Sequence, residues 1–138
     1  MKISVRVLNS RGQHQASVST NDIIHALKIA PKASGYGSSI NTGELLFLAL
    51  STCFCNDLYR EAAKQGIQIE QVEVEVEGEF GEAGEPAQNV TYNARVTANA
   101  VPLQIRQLAE LTDRLAEIHN TLRTGVPVTL GRLETVMA

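Results

Sequence analysis

"NTGELLFLALSTCFCNDLYREAAKQG" (residues 41–66) decides how the rest of the chain folds. Residues 45–64 contain no glycine or proline and read as one helix. Asn41 or Thr42 can cap it, Glu44 suits the positive end of its dipole, and Gly66 stops it. Its first turns, "LLFLALSTCFC", are apolar on every side, and its last turns, "NDLYREAAKQ", are amphipathic. A helix apolar all round is buried all round. The element is therefore expected to run through the middle of the molecule or into a subunit interface.

The same helix carries both cysteines of the chain, Cys53 and Cys55. Each helical residue turns about 100°, so side chains two apart point about 200° away from each other. The pair cannot ligate one metal from an intact helix, and no second Cys or His pair completes a zinc site. It cannot close an ordinary disulfide without unwinding a turn, nor is it a Cys-x-x-Cys redox motif. Two readings stay open. Both thiols fill space as small apolar side chains, or one is a nucleophile made reactive by a nearby cation. An unperturbed thiol is only about 3% ionised at pH 7, so the second reading needs a specific positive partner.

Composition narrows the function classes. A chain of 138 residues with 43% apolar side chains fits one domain, 1–138, with a real core. Net charge is −3 and the basic residues are scattered singly, without the clustered footprint that nucleic acid requires. The opening "MKISVRVLNS" lacks the continuous apolar core of a signal peptide. The longest uncharged run, residues 45–56, falls short of the roughly 20 needed to span a bilayer. A cytoplasmic protein with reduced thiols is expected, with neither nucleic acid nor membrane as partner.

Outward from the helix, the pattern alternates. Ile3, Val5 and Val7 share one face of a half-buried strand, "NSRG" turns, and residues 13–19 return. "IIHALKIA" gives a third strand ending at Pro31, and residues 33–42, rich in Gly and Ser, form a loop. After the helix, "VEVEVEGEF" sends Val72, Val74 and Val76 inward and Glu73, Glu75 and Glu77 to water. Strict alternation with core valines makes this a solvated sheet face rather than an acidic metal strip. "GEAGEPAQN" is a hairpin-like loop, and residues 90–98 pair back. Leu103, Leu108, Leu111, Leu115, Ile118 and Leu122 form the stripe of a second helix opened by Pro102. "GVPVTLGRLETV" closes the chain as a strand. The order β-β-β-α-β-β-α-β defines an α+β fold, with antiparallel sheets around a long buried central helix. His14 and His25 read as strand residues. His119 reads as a partly exposed residue near a helix end. The sequon at Asn89 has no meaning in a cytoplasmic chain.

Several stretches together resemble a known family. "INTGELLFLALSTCF" is similar to the central-helix signature of the OsmC/Ohr family, the osmotically induced and organic hydroperoxide resistance proteins. Pro31 after the third strand, "HNTLRTGVPVTL" and the element order agree with it. The resemblance implies an intertwined homodimer whose reactive cysteine attacks the O–O bond of an organic hydroperoxide. It puts that nucleophile at Cys53 and its activating arginine at Arg11 in "SRG"; Glu44, one residue after the family's glutamate position, would orient that arginine if the helix begins after it. The organic moiety would rest against Phe47 and Phe54, with Cys55 and His119 as auxiliaries. Besides Thr42 in place of the usual proline, the chain departs from the family at three positions: Gly43 replaces a glutamate, Ala116 the resolving cysteine, and Cys55 is an extra thiol. No resident cofactor or metal is implied; an external low-molecular-weight thiol would reduce Cys53. The alternatives are a non-enzymatic relative that binds a small hydrophobic ligand or senses oxidants stoichiometrically, and a protein whose pocket has decayed.

Overall fold

Ile3, Val5 and Val7 lie on strand β1 (Ile3–Ser10), which pairs antiparallel with β2 (Gln13–Thr20); β2 pairs in turn with β3 (Ile23–Leu27). The computed structural model describes residues 1–138 as two compact units, Met1–Leu46 and Phe47–Ala138. The three-strand meander belongs to the first. Its β2–β3 turn has two residues of positive φ, Asn21 (48°) and Asp22 (68°), the backbone that matches the twist of a tight hairpin. Asn21 Oδ1 also accepts the Lys2 backbone N–H at 2.9 Å, which ties the turn to the start of β1. β3 ends at Leu27, short of Pro31, and Pro31 forms only a bridge to Ser38. The apolar face of β1 is not half-buried as its pattern predicts: Ile3, Val5 and Val7 are 60%, 63% and 55% exposed.

Helix α1 (Thr42–Lys64) begins within the first unit and continues through the second. Two strands follow, β4 (Ile69–Glu79) and β5 (Gln88–Ala98), antiparallel, with Val72 opposite Val96, Val74 opposite Ala94 and Val76 opposite Tyr92. The valines are half-buried and the alternating glutamates exposed, as expected. The core of this unit is Phe54, Leu58 and Ala62 of α1 with Leu108; Val72, Val74, Tyr92 and Val96 pack against it. Spacing of four puts Phe54, Leu58 and Ala62 on one stripe. The helix is not covered all round in the single chain, since Leu48 and Tyr59 are exposed. No helix is long and apolar enough to cross a membrane.

Two expectations near the C-terminus are corrected. The second helix is broken into α2 (Pro102–Leu115) and α3 (Glu117–Arg123), because Ala116 adopts extended backbone (φ −66°, ψ 111°). No proline or glycine causes this. Ala116 is fully buried, and Asn120 Nδ2 donates to the freed Arg114 carbonyl at 2.9 Å, so the interruption leaves that group satisfied. The closing strand does not form either. Residues 126–138 form no regular element and have no ladder partner, and Val128 is 98% exposed. A strand exists only through its neighbour's hydrogen bonds.

Leu58→Ala should cost about 2–5 kcal/mol in urea denaturation, the usual loss for a fully buried leucine. Glu75→Gln, on the solvated face of β4, should change stability by less than about 0.5 kcal/mol. A large effect of the second substitution would show the acidic face to be more than a solvated surface.

Candidate active site

The buried stripe of Phe54 and Leu58 fixes how α1 is rotated, and residues one step earlier, Cys53 and Asp57, share an adjacent face. Cys53 is half-buried and Asp57 buried. The thiol donates to Asp57 Oδ2 at 3.6 Å, and Glu117 Oε2 lies 4.0 Å from the sulfur. The Ile118 backbone also acts on the thiol, favouring its ionised form. Glu117 and Ile118 are the first residues of α3, so the interruption at Ala116 is what delivers both groups.

Arg60 holds this cluster together. Its Nη1 donates to Asp57 Oδ1 and to Glu117 Oε1, each at 3.0 Å, and its Nε donates to Glu61 Oε2 at 2.8 Å. Lys64 closes on the other side of Glu61 at 3.0 Å. Each carboxylate of the Asp57–Glu117 pair thus turns one oxygen toward the guanidinium and the other toward the sulfur.

The electrostatics follow from that arrangement. Burial pushes the Cys53 thiol above its ordinary pKa; the Ile118 N–H opposes this, while the Asp57 and Glu117 carboxylates reinforce it. Asp57 is itself raised, first by burial and then by its hydrogen bond and like charge with Glu117, against the pull of Arg60. Glu117 is lowered, chiefly by the hydrogen bond it shares with Asp57. Glu61 is lowered by its hydrogen bonds from Arg60 and Lys64. The surroundings thus favour the thiol form of Cys53, which donates to the Asp57 carboxylate.

The remaining sequence-predicted residues fall elsewhere. Cys55 is half-buried with no polar partner, and burial alone raises its pKa. Arg11 stands exposed at the β1–β2 turn of the first unit. Glu44 lies inside the first turn of α1 rather than ahead of the helix. Its Oε1 accepts the Asn41 N–H at 2.8 Å while Asn41 Oδ1 accepts from Gly43 N–H at 2.7 Å, the reciprocal bonds of a capping box. Phe47 stacks on Phe80 with ring centroids 5.9 Å apart. A Cβ at Gly78 would come within 2.8 Å of the Phe47 ring, so only glycine leaves that ring its seat. Phe54 is 2% exposed and lies against Tyr92, on the wall of an open cavity of about 1050 Å³ shared with Val96 and Ile105.

His119 is buried, not partly exposed. Its ring meets Tyr92 edge-on at 4.8 Å, and neither nitrogen has a hydrogen-bond partner, so it makes no bond to Cys53. Tyr92 donates instead to Asp113, which also accepts from Arg123 at 2.7 Å.

Cys53, Asp57 and Glu117 offer a sulfur and two carboxylate oxygens within 4.8 Å of one another, a spacing that a divalent ion could bridge. The Arg60 guanidinium pairs with both carboxylates from their other side.

Antiparallel sheets together with a helix that carries a partly accessible free thiol in a polar nest mark a thiol-bearing α+β protein. The sequence profile of the family described as OsmC-like protein matches residues 35–131, and the chain belongs to that family. Among solved structures, the OsmC-like protein from Mycoplasma pneumoniae superposes with a TM-score of 0.62 at 16% identity, covering 89% of this chain and 88% of that one. The organic hydroperoxide resistance protein OsmC from Legionella pneumophila gives 0.60 at 17% identity, covering 89% and 90%. An OsmC-like protein of unknown function from Vibrio cholerae gives 0.59 at 16% identity, covering 88% and 93%. These likenesses establish the mixed α+β fold with antiparallel sheets. No protein of curated function matches the sequence.

The buried imidazole generates a pH prediction. Burial lowers the His119 pKa, Arg123 lowers it further, and Asp113 opposes them. As pH falls below about 6.5 the unfolded chain takes up the proton first, so stability falls from there until the lower folded pKa is reached. Thermal melts between pH 7.5 and 5.5 should therefore show a steeper loss in wild type than in His119→Phe. Equal slopes would remove His119 from the account.

Proposed function

We propose that the chain is a thiol-dependent reductase of organic hydroperoxides, with Cys53 as its nucleophile. The sulfur attacks the terminal peroxide oxygen, the O–O bond breaks, and the products are an alcohol and a Cys53 sulfenic acid. One low-molecular-weight thiol condenses with the sulfenic acid, releasing water, and a second displaces the mixed disulfide to regenerate Cys53. Ala116, in the position of the family's resolving cysteine, makes an external reductant necessary.

One observation carries this reading. Of two cysteines on one helix, Cys53 alone is set among hydrogen-bonding groups from two elements, while Cys55 faces none. The name of the Legionella relative supports the substrate class. Arg11 is proposed as the cation that stabilises charge on the sulfur during attack. Glu44 caps α1 at rest, so any role in orienting Arg11 requires its bond to Asn41 to open. Phe47 and Phe54 are proposed as apolar contacts of the organic group.

The working unit is proposed to be a cytoplasmic homodimer. The apolar face of β1, Leu48 of α1 and the C-terminal segment are all uncovered in one chain, and a second copy would bury them. Sedimentation equilibrium should accordingly return about twice the 14.9 kDa chain mass.

A second reading, non-enzymatic binding of a small hydrophobic ligand, is favoured by the open cavity beside Phe54 and Tyr92. Peroxide turnover separates the two. With cumene hydroperoxide and excess dithiothreitol, wild type should consume peroxide continuously, Cys53→Ser should fall to the uncatalysed background, and Cys55→Ser should only be diminished. Equal consumption by wild type and Cys53→Ser would defeat the enzymatic reading.

A further inference from the structure

We propose that Asp57 and Glu117 are the proton-transfer pair of Cys53. Asp57 takes the thiol proton as the sulfur attacks, Glu117 returns one to the departing alkoxide, and Arg60 positions both carboxylates. This rests on the peroxide-reducing reading and adds to it the groups that move the proton.

The reaction demands such groups. A thiol that stays protonated at rest must lose its proton during attack, and an alkoxide leaves far more readily if protonated as the O–O bond breaks. The balance closes within the site: Cys–SH and RO–OH become Cys–SOH and ROH, with sulfur oxidised, peroxide reduced and no net proton gained or lost. Asp57 Oδ2 is the acceptor of the Cys53 thiol, four residues on along α1. Glu117 Oε2 lies 4.0 Å from the same sulfur on its exposed side, where a substrate would arrive. An Asp57 oxygen, a Glu117 oxygen and the sulfur lie within 4.8 Å of one another, so a proton delivered to Asp57 stays in the same site as Glu117. Arg60 joins their outer oxygens and fixes the inner ones toward the sulfur.

The groups around the sulfur are all accounted for. α1 contributes Asp57 and Arg60, with Glu61 and Lys64 behind them; α3 contributes Glu117 and the Ile118 N–H. A buried acid beside a thiol makes no sense as a thiolate stabiliser, because its charge disfavours ionisation. As a proton acceptor it does. The two roles predict opposite consequences for one variant.

Asp57→Asn removes a charge that opposes ionisation, so the pH midpoint of Cys53 alkylation, followed by mass spectrometry, should fall. If Asp57 only suppressed the thiolate, peroxide reduction at pH 7 would quicken with it. As the proton acceptor, its loss should slow peroxide reduction about a hundredfold, within the range typical of general acid–base groups. Asp57→Glu should restore part of the rate. Glu117→Gln, whose side chain is 63% exposed and so does not threaten folding, should show the same divergence and carries the test should Asp57→Asn fail to fold. Peroxide reduction as fast as wild type in both Asn and Gln variants overturns the proposal while leaving the enzyme intact. A wild-type protein that alkylates at Cys53 yet reduces no hydroperoxide overturns the peroxide reading itself.

Discussion

The rotation of α1 about its own axis is the constraint on which the site depends. Phe54 and Leu58 are locked into the core against Tyr92, Leu108 and the valines of β4, and that locking leaves no freedom in where Cys53 points. A turn of one residue, about 100°, would carry the thiol away from α3. Burial of apolar side chains thus selects which of two chemically identical thiols acquires polar neighbours. The free energy resides in the phenylalanine and leucine, whereas the specificity appears at the residues beside them.

The neighbours acquired are not those that make a resting thiolate. Two carboxylates face the sulfur, and the nearest guanidinium is committed to their far sides. A thiolate-stabilising site would need to supply about 1.4 kcal/mol for every tenfold gain in ionised fraction. This cluster works in the other direction. It protects the thiol from adventitious oxidation, since susceptibility follows thiolate character. Any activation must then come with the substrate or with a cation brought by another element, and Arg11 at the β1–β2 turn is the residue proposed for that task.

Much of the fold was legible in the sequence, and the exceptions have a common physical origin. Strict alternation at Val72, Val74 and Val76 identified β4 because one face packs on the core and the other meets water. The 45–64 helix was legible from its unbroken run and its Asn41–Gly66 bounds. What periodicity does not encode is a partner. Ile3, Val5 and Val7 alternate as if buried, and residues 126–138 read as a strand, yet neither finds cover within the chain. The break at Ala116 was illegible for a different reason. It is made by a small buried residue and the Asn120 side chain, not by a proline or glycine that would mark it. Asp57 was half-visible, because a four-residue spacing from Cys53 puts both on one face. Glu117 was not, since its approach depends wholly on that break.

The break also decides what the segment after Ala116 offers to Cys53. An uninterrupted helix would continue past Ala116 and carry the Ile118 N–H into an internal hydrogen bond. Because the backbone opens at Ala116, the first N–H groups of α3 have no helical acceptor, and the Ile118 backbone favours the ionised form of Cys53. The same opening swings the Glu117 carboxylate onto Arg60. The position where the family resemblance expects a resolving cysteine therefore holds a side chain too small to react, and small enough to let the backbone turn toward the thiol. In this chain that segment sets a carboxylate, Glu117, beside the Cys53 sulfur.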